Sequence, residues 1–189
     1  MEAFVLLEFK RITKASPDRR AMKAIYLEAF PREERAPWFL IIRRTAQPPG
    51  DFWGLYDKSD PVGMAYVING AGASYLFYFA IRSDCRGRGY GSEALERLKE
   101  LYAGSRLFLA LEQLDPTAEN YAQRVKRHAF YEKHGLTDLP YRLKEASMVY
   151  SLMSAGGTVY PQDYRELIDR YTGPVVKRFY EMRFLEEEV

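Results

Sequence analysis

The sequence predicts a mixed α/β, three-layer fold with a C-terminal helical extension, and three observations carry that prediction. Antiparallel strand signals come first, in "DFWGLYDKSDPVGMAYVIN". Apolar runs and helical spacing then alternate from "YLFYFAI" through "SEALERLKELY" and "RLFLALEQL" to "YAQRVKRHAFYEKHG", a strand-helix-strand-helix succession. The tail from Tyr160 onward reads as helix. At 189 residues and 47% hydrophobic, a chain of this size buries about 70% of the surface it exposes unfolded. The formal net charge is only +2, so nothing global marks a nucleic-acid or membrane-surface binder. One cysteine, Cys85, excludes an intramolecular disulfide. No segment reaches membrane-spanning length, no signal peptide is evident, and a reducing cytoplasm is the expectation.

The elements follow in order. Phe4 to Ile12 reads as a first strand, and "SPDRRAMKAIYLEAF" as a helix with Ser16 as its N-cap, Met22, Ile25, Tyr26 and Ala29 on one face, and Pro31 as its end. "APWFLIIRR" fits a short helix or a buried strand, and the pattern alone does not separate them. Phe52 to Tyr56 and Val62 to Asn69 form two antiparallel strands around a turn at Lys58 to Pro61. Ala73 to Ile81 is a nearly continuous apolar strand, which implies burial on both faces. A helix from Ser92 uses Ala94, Leu95, Leu98, Leu101 and Tyr102. Another strand, Arg106 to Leu114, leads to a helix with Pro116 near its start, Tyr121, Val125 and Ala129 on one face, and Gly135 as its stop. "YRLKEASMVYSLM" gives two short strands or one bent strand. The tail reads as two amphipathic helices broken at Gly173 and Pro174, the first using Tyr164, Leu167, Ile168 and Tyr171. Residues 1–153 are therefore expected to form one domain and 154–189 a helical extension packed on it.

Between the central strand and its helix lies "CRGRGYGS", Cys85 to Ser92. Glycines at 87, 89 and 91 let backbone amides converge without Cβ clashes, while Arg86 and Arg88 add charge-assisted donors. A loop entering a helix N-terminus attracts an anion, and phosphate is the usual guest. A plain tight turn accounts for the glycines as well. The spacing excludes a Walker loop, which needs Gly-Lys-Ser/Thr, and the Gly-x-Gly-x-x-Gly dinucleotide fingerprint.

Arg86-Gly87-Arg88-Gly89-Tyr90-Gly91 resembles the Arg/Gln-x-x-Gly-x-Gly/Ala signature of the GNAT superfamily of N-acetyltransferases, at the same place in a strand-loop-helix unit. "YLFYFAI" resembles that family's fourth strand, and "AFYEKHGL", Ala129 to Leu136, resembles its second recurring motif. The likeness covers Ala73 to Leu136 well, the earlier elements by order only, and the tail after Met153 hardly at all. It departs at Arg124, where the family often carries Asn, with Asn120 one helical turn earlier.

The resemblance implies a central mixed, mostly antiparallel sheet with flanking helices. It also implies acetyl-CoA as acyl donor, with its pyrophosphate on Arg86, Gly87, Arg88, Gly89, Tyr90, Gly91 and Ser92 and its pantetheine arm on the backbone of Phe79, Ala80 and Ile81. The expected activity is direct transfer of acetyl to a primary amine, without a covalent enzyme intermediate. Tyr131, in "FYEKHG", is the candidate proton donor to the leaving thiolate, because a phenol with pKa near 10 stays protonated at neutral pH. Some family members place a Glu early in the fourth strand, and here that position is Tyr75. Glu112 is the substitute candidate for the base, on the argument that burial at a sheet end raises its pKa; capping the strand or pairing with an arginine stands beside that role. Glu28, Glu33 and Glu34 are weaker candidates.

No metal is expected, since His128 and His134 lack partners at ligand spacing, and Cys85 reads as a spectator thiol. The run Arg124, Lys126, Arg127 fits a solvated face or a contact with the 3'-phosphate of CoA. The expected partners are acetyl-CoA and an unidentified amine, without nucleic acid or membrane. Closure of the acceptor side by the tail and a homodimer contact through it both stay open. A non-catalytic acyl-CoA-binding module on the same fold is the rival reading, kept in play by Tyr75, and a nucleic-acid binder using the basic helix is a third.

Overall fold

The computed structural model of the chain describes residues 7–45, 50–70, 72–145, 148–177 and 182–186. Its elements are strands β1 (Glu8–Arg11), β2 (Gly50–Asp57), β3 (Asp60–Asn69), β4 (Ala73–Ile81), β5 (Arg106–Glu112), β6 (Thr137–Glu145), β7 (Met148–Ala155) and β8 (Met182–Glu186), with helices α1 (Arg19–Ala29), α2 (Trp38–Arg44), α3 (Tyr90–Leu101), α4 (Tyr121–Lys133) and α5 (Pro161–Lys177). The strand series runs β1-β2-β3-β4-β5-β7-β6-β8. Antiparallel pairs dominate it, and β4 with β5 is the parallel pair. This is the mixed α/β architecture the sequence predicts. Contacts divide the chain into two compact units, residues 1–69 with 76–101 and residues 70–75 with 102–189.

The first unit is a hairpin sheet covered by helices. Asp57 pairs with Asp60 across a two-residue turn, where Lys58 takes φ +58°. Helix α1 buries Met22, Ile25 and Tyr26. Ser16 does not cap it as expected: its hydroxyl accepts the Thr13 amide at 2.9 Å, and Asp18 stands at the cap position with its carboxylate turned to the Tyr56 hydroxyl. The helix ends at Phe30 because the residue before a proline is driven into extended backbone. Arg35 then reaches back to the Leu27 and Phe30 carbonyls that the helix leaves unpaired. The undecided "WFLIIRR" is helix α2, with Ile41 and Ile42 buried. Rings interlock beneath both helices: Tyr26 lies 5.0 Å from Tyr78 and 5.6 Å from Trp38, and Trp38 lies 5.8 Å from Phe52. Edge and tilted pairs of this kind add to the area they bury.

The second unit packs α5 on its strands. Tyr75 is 5% exposed and stacks on Phe108 at 4.8 Å, with Tyr164 of α5 at 5.3 Å. The position that resembles a family carboxylate is therefore a core ring. Helix α5 is tied down by Arg106 to Asp163 at 2.9 Å and by Tyr164 to Glu145 at 2.8 Å. The predicted break at Gly173 and Pro174 is absent, since α5 runs through both to Lys177. A proline near a helix end removes one backbone bond, and the buried Tyr164, Leu167, Ile168 and Tyr171 set the helix before it is reached. The second tail helix is instead strand β8, antiparallel to β6, with Phe184 against Tyr141 and Tyr164. Helix α4 also presents a different face from the one predicted: Val125 is exposed, whereas Tyr131 is buried and Arg124 and His128 are half-buried. Both find acidic partners, Glu112 and Asp138, which lets polar side chains point inward. Among the described residues no helix is long and apolar enough to cross a membrane. Residues 4–6 of the predicted first strand lie outside the described residues.

The closest backbone approach in the first unit is at Gly63, where a Cβ would stand 2.6 Å from the Ala80 carbonyl oxygen and 2.8 Å from Ile81 Cδ1. Gly63→Ala is expected to destabilise the protein by about 2 kcal/mol through overpacking, read as a lower urea midpoint. Gly104→Ala, with open space around its Cβ, serves as the control and should leave the midpoint in place.

Candidate functional site

Strand β4 delivers its last residues to the glycine loop. The side chains of Phe79 and Ile81 pack with Leu7, Leu55, Val62, Cys85, Tyr90 and Ala94 under the start of α3, and Ala80 is buried on the opposite face of the strand. A single 3-10 turn, Ser83–Cys85, follows, and the chain then crosses Arg86 to Gly89 into the helix. Gly87 and Gly89 have φ of +76° and +84°. L-residues with a Cβ avoid this region, so the glycines are demanded by backbone geometry. A Cβ at either would meet nothing within 4 Å. The space above the loop is open, and no packing against the protein itself explains the glycines. Arg86, Gly87, Arg88 and Gly89 are all exposed. Among the described residues, the amides of Gly87, Arg88 and Gly89 have no acceptor within the protein, and those of Tyr90 and Gly91, the first two of α3, precede the first intrahelical bond, from Glu93 to the Gly89 carbonyl. Free N–H groups and a helix N-terminus thus face the same open space, the arrangement that holds a phosphate.

The loop is braced from below. The Tyr90 side chain is buried and donates to Asp57 at 2.5 Å, so only its backbone remains for a ligand. Arg86 spends its Nε on the Ile81 carbonyl at 3.1 Å, and among the described residues its terminal nitrogens and the Arg88 guanidinium have no hydrogen-bond partner. That bond also occupies the Ile81 carbonyl, one of the groups expected to meet the pantetheine arm. Two residues complete the brace: Arg82, which the sequence leaves unassigned, and Glu28, which it offers only as a weaker base candidate. Arg82 pairs with Asp60 at 2.8 Å and Asp84 at 2.6 Å and donates to the Pro61 carbonyl. Glu28, read earlier as a weak base candidate, accepts the Ser83 amide at 2.9 Å, and hydrogen bonding from Ser83 holds its carboxyl below the usual range. The Arg-Ser-Asp succession before the loop was the only signal for Arg82, and nothing in the sequence marked Glu28 as a brace rather than a base. Burial pushes the Cys85 thiol up, away from the lowered range of a reactive thiolate.

In the second unit Glu112 ends β5 among three donors. Arg124 lies at 2.9 Å, Arg127 bonds the other carboxylate oxygen, and Asn120 donates to both oxygens at 3.2 and 3.3 Å. Burial pushes the Glu112 carboxyl up, but hydrogen bonds from Asn120 and Arg127 and the charges of both arginines outweigh it, and the net shift is downward. The raised pKa on which its role as base rested does not occur. Glu112 belongs instead to a fixed ion-pair network, which also accounts for Asn120, Arg124 and Arg127. Tyr131 is 8% exposed, and desolvation pushes its hydroxyl up to about 12. Among the described residues the hydroxyl has no hydrogen-bond partner. His128 Nε2 lies 2.9 Å from Asp138, and His134 sits on the Phe130 ring. No three His, Cys, Asp or Glu side chains converge among the described residues.

A strand, an open glycine loop and a helix N-terminus together form a concave backbone nest of the kind that accommodates an anion. The pattern that describes the Acetyltransferase (GNAT) family matches residues 19–136, more than half of the chain, and the chain belongs to that family. No match is found among curated proteins. Among solved structures, a Bacteroides thetaiotaomicron protein described as a GNAT-family acetyltransferase is 24% identical, with 87% of this chain and 96% of that one covered and a TM-score of 0.71. An aminoglycoside 6'-N-acetyltransferase complexed with coenzyme A is 16% identical, with 82% and 99% covered and a TM-score of 0.63. Arabidopsis thaliana NAA60 in complex with acetyl-CoA is 13% identical, with 79% and 98% covered and a TM-score of 0.61. At these identities the likeness is one of fold.

Glu112 tests the network. Its lowered pKa means that it stabilises the fold above the unfolded carboxyl value of about 4.3, and that this contribution is lost as pH falls through its folded value. Glu112→Gln is expected to cost about 1–2 kcal/mol at pH 7, and the difference from the unmutated protein should shrink in urea unfolding at pH 3.

Proposed function

We propose that the chain is an acetyl-CoA-dependent N-acetyltransferase that passes acetyl directly to a primary amine in the cytoplasm, with residues 1–153 as the acetyltransferase domain and 154–189 as its extension. One observation carries the reading: free amides from Gly87 to the start of α3 face open space at glycines whose backbone no other residue adopts readily. Family membership and the coenzyme complexes of structurally similar proteins support it.

In this reading the amides of residues 87–92 hold the pyrophosphate, with Arg88 and the free end of Arg86 as charged donors. Backbone groups at Phe79 and the Ile81 amide take the pantetheine arm as a strand takes its neighbour, while Ala80, whose carbonyl faces Gly63, lines the same stretch. Backbone N–H donors there stabilise the oxyanion formed when the amine attacks the thioester carbon, an effect of several kcal/mol. The new C–N bond forms, the C–S bond breaks, and the Tyr131 hydroxyl donates toward the departing sulfur. A phenol at about 12 is a weaker acid than a thiol at about 8.5. Tyr131 therefore acts first as a hydrogen-bond donor to the thiolate, and the proton the thiol keeps is balanced by the one the attacking nitrogen sheds.

No carboxylate is assigned as base. Hydrogen bonds and neighbouring cations hold the carboxyls of Glu28, Asp60, Asp84, Glu112 and Asp115 below the usual carboxylate range, so none of these five is poised to accept a proton near neutrality. Solvent deprotonates the amine.

Acetyl-CoA should raise the unfolding temperature while ATP and NAD leave it unchanged, since a ligand of the native state at a hundredfold its Kd adds about 2.7 kcal/mol. Gly89→Glu should abolish that rise. A rise without thiol release from any of a broad panel of amines would favour the non-catalytic acyl-CoA-binding module. Tyr131→Phe should lower kcat by about a hundredfold and keep the acetyl-CoA stabilisation; unchanged turnover would remove Tyr131 from the mechanism. In the unmutated enzyme kcat/KM should rise with pH up to the pKa of the amine itself, and an earlier plateau near pH 5–7 would point to a protein base.

A further inference from the structure

We propose that the groove between the N-terminal half of α1 and helix α2 binds a short single-stranded stretch of nucleic acid. The proposal lies outside the acetyltransferase reading and does not depend on it. A cavity of about 740 Å³ opens there, lined by five cations, Lys14, Arg19, Arg20, Lys23 and Arg43, and by no acidic residue. All five are exposed, and among the described residues none has an acidic partner. Among the described residues the Arg19 guanidinium bonds only the Lys14 carbonyl, at 2.5 Å, and the neighbouring Asp18 is turned to the Tyr56 hydroxyl at 3.0 Å.

The floor of the groove is apolar. Trp38 is anchored by its ring contacts to Tyr26 and Phe52, and Ile42 is buried beside it. Phe39 stands 68% exposed with no ring against it among the described residues. An isolated exposed phenylalanine is ordinary. One set among five unpaired cations is a stacking surface inside a positive field.

The charge decides the class of ligand. An amine acceptor arrives as a cation and is repelled here, so the groove serves something anionic. Single-stranded nucleic acid carries a charge at every residue and a flat ring beside it, and proteins that bind it combine a basic track with aromatic platforms. On α1, Arg19, Arg20 and Lys23 are i, i+3 and i, i+4 neighbours, so their charges follow one stripe along the groove. A docked amphipathic peptide needs several apolar anchors at helical spacing, and the groove offers one free ring among its cations. The whole-chain charge of +2, which argues against a nucleic-acid partner, averages over a surface on which these cations are concentrated.

The test is fluorescence anisotropy of labelled ten-residue oligouridylate and oligothymidylate with the full chain at 50 and 200 mM salt. Five phosphate contacts correspond to a slope of log affinity on log salt near −3.5, roughly a hundredfold loss across that range. Arg20→Glu combined with Lys23→Glu should weaken binding and flatten the slope by about 1.4. Phe39→Ala should weaken binding roughly tenfold and keep the slope. These side chains are exposed, so urea midpoints should hold and acetyl-CoA should stabilise the variants as it does the unmutated chain. Absent or salt-independent binding would overturn the proposal, as would unchanged affinity in both variants. Equal binding of polyglutamate, or preference for vesicles of phosphatidylcholine with phosphatidylserine, would overturn it in favour of an acidic peptide or a membrane surface. The response of the unmutated chain to acetyl-CoA bears on the acetyltransferase reading alone.

Discussion

The passage from β4 into α3 is a backbone problem before it is a chemical one. A strand must turn into a helix while its amides keep facing outward, and only residues that accept positive φ allow it, which Gly87 and Gly89 do. Such a turn holds its shape because other elements grip both of its flanks. Arg82 fastens the entry to the β2–β3 hairpin, Glu28 of α1 caps the Ser83 amide, and Tyr90 anchors the exit to Asp57. The other end of the same helix surface is held as well, with Glu93 accepting the Leu7 amide and Arg97 donating to the Leu7 carbonyl. A glycine loop left to itself is flexible; pinned at these points it presents a preformed array of donors, which is what makes an anion site strong.

The second unit solves a different problem, that of a helix with polar residues on its inner side. Arg124 and His128 face inward on α4 because Glu112 and Asp138 meet them there. A half-buried carboxylate with two arginines and an amide around it is held below the usual carboxylate range, and its charge is already committed. Tyr131 lies one turn further along the same helix in an apolar setting, and the same burial that excludes water keeps its phenol protonated. Neighbouring positions on one helix thus pair with a carboxylate of β5 and carry a neutral, desolvated phenol.

Charge is distributed unevenly at the surface. Many cations elsewhere in the chain are paired, as Arg11 is with Asp51, Arg82 with Asp60 and Asp84, and Arg106 with Asp163. Among the described residues Lys14, Arg19, Arg20, Lys23 and Arg43 have no acidic partner, and they surround an exposed ring. Unpaired like charges on one face oppose folding modestly and favour an anionic partner.

What the sequence by itself determined was local. The central strand from Ala73 to Ile81, the loop glycines, the helix after them and the apolar stripe of α1 follow from periodicity and from glycine's freedom, and these depend on residues close in the chain. What only the tertiary structure decided depended on distant partners. Tyr75 became a core ring because Phe108 and Tyr164 stack on it, and Glu112 became a fixed anion because a helix eight residues on brings Asn120, Arg124 and Arg127 to it. The tail became one helix and a strand because β6 offered an edge for residues 182–186 to pair with. Helical spacing in a sequence records which side chains can share a face, but the identity of a face's partner, and with it the pKa of a carboxylate, is settled only when remote segments meet.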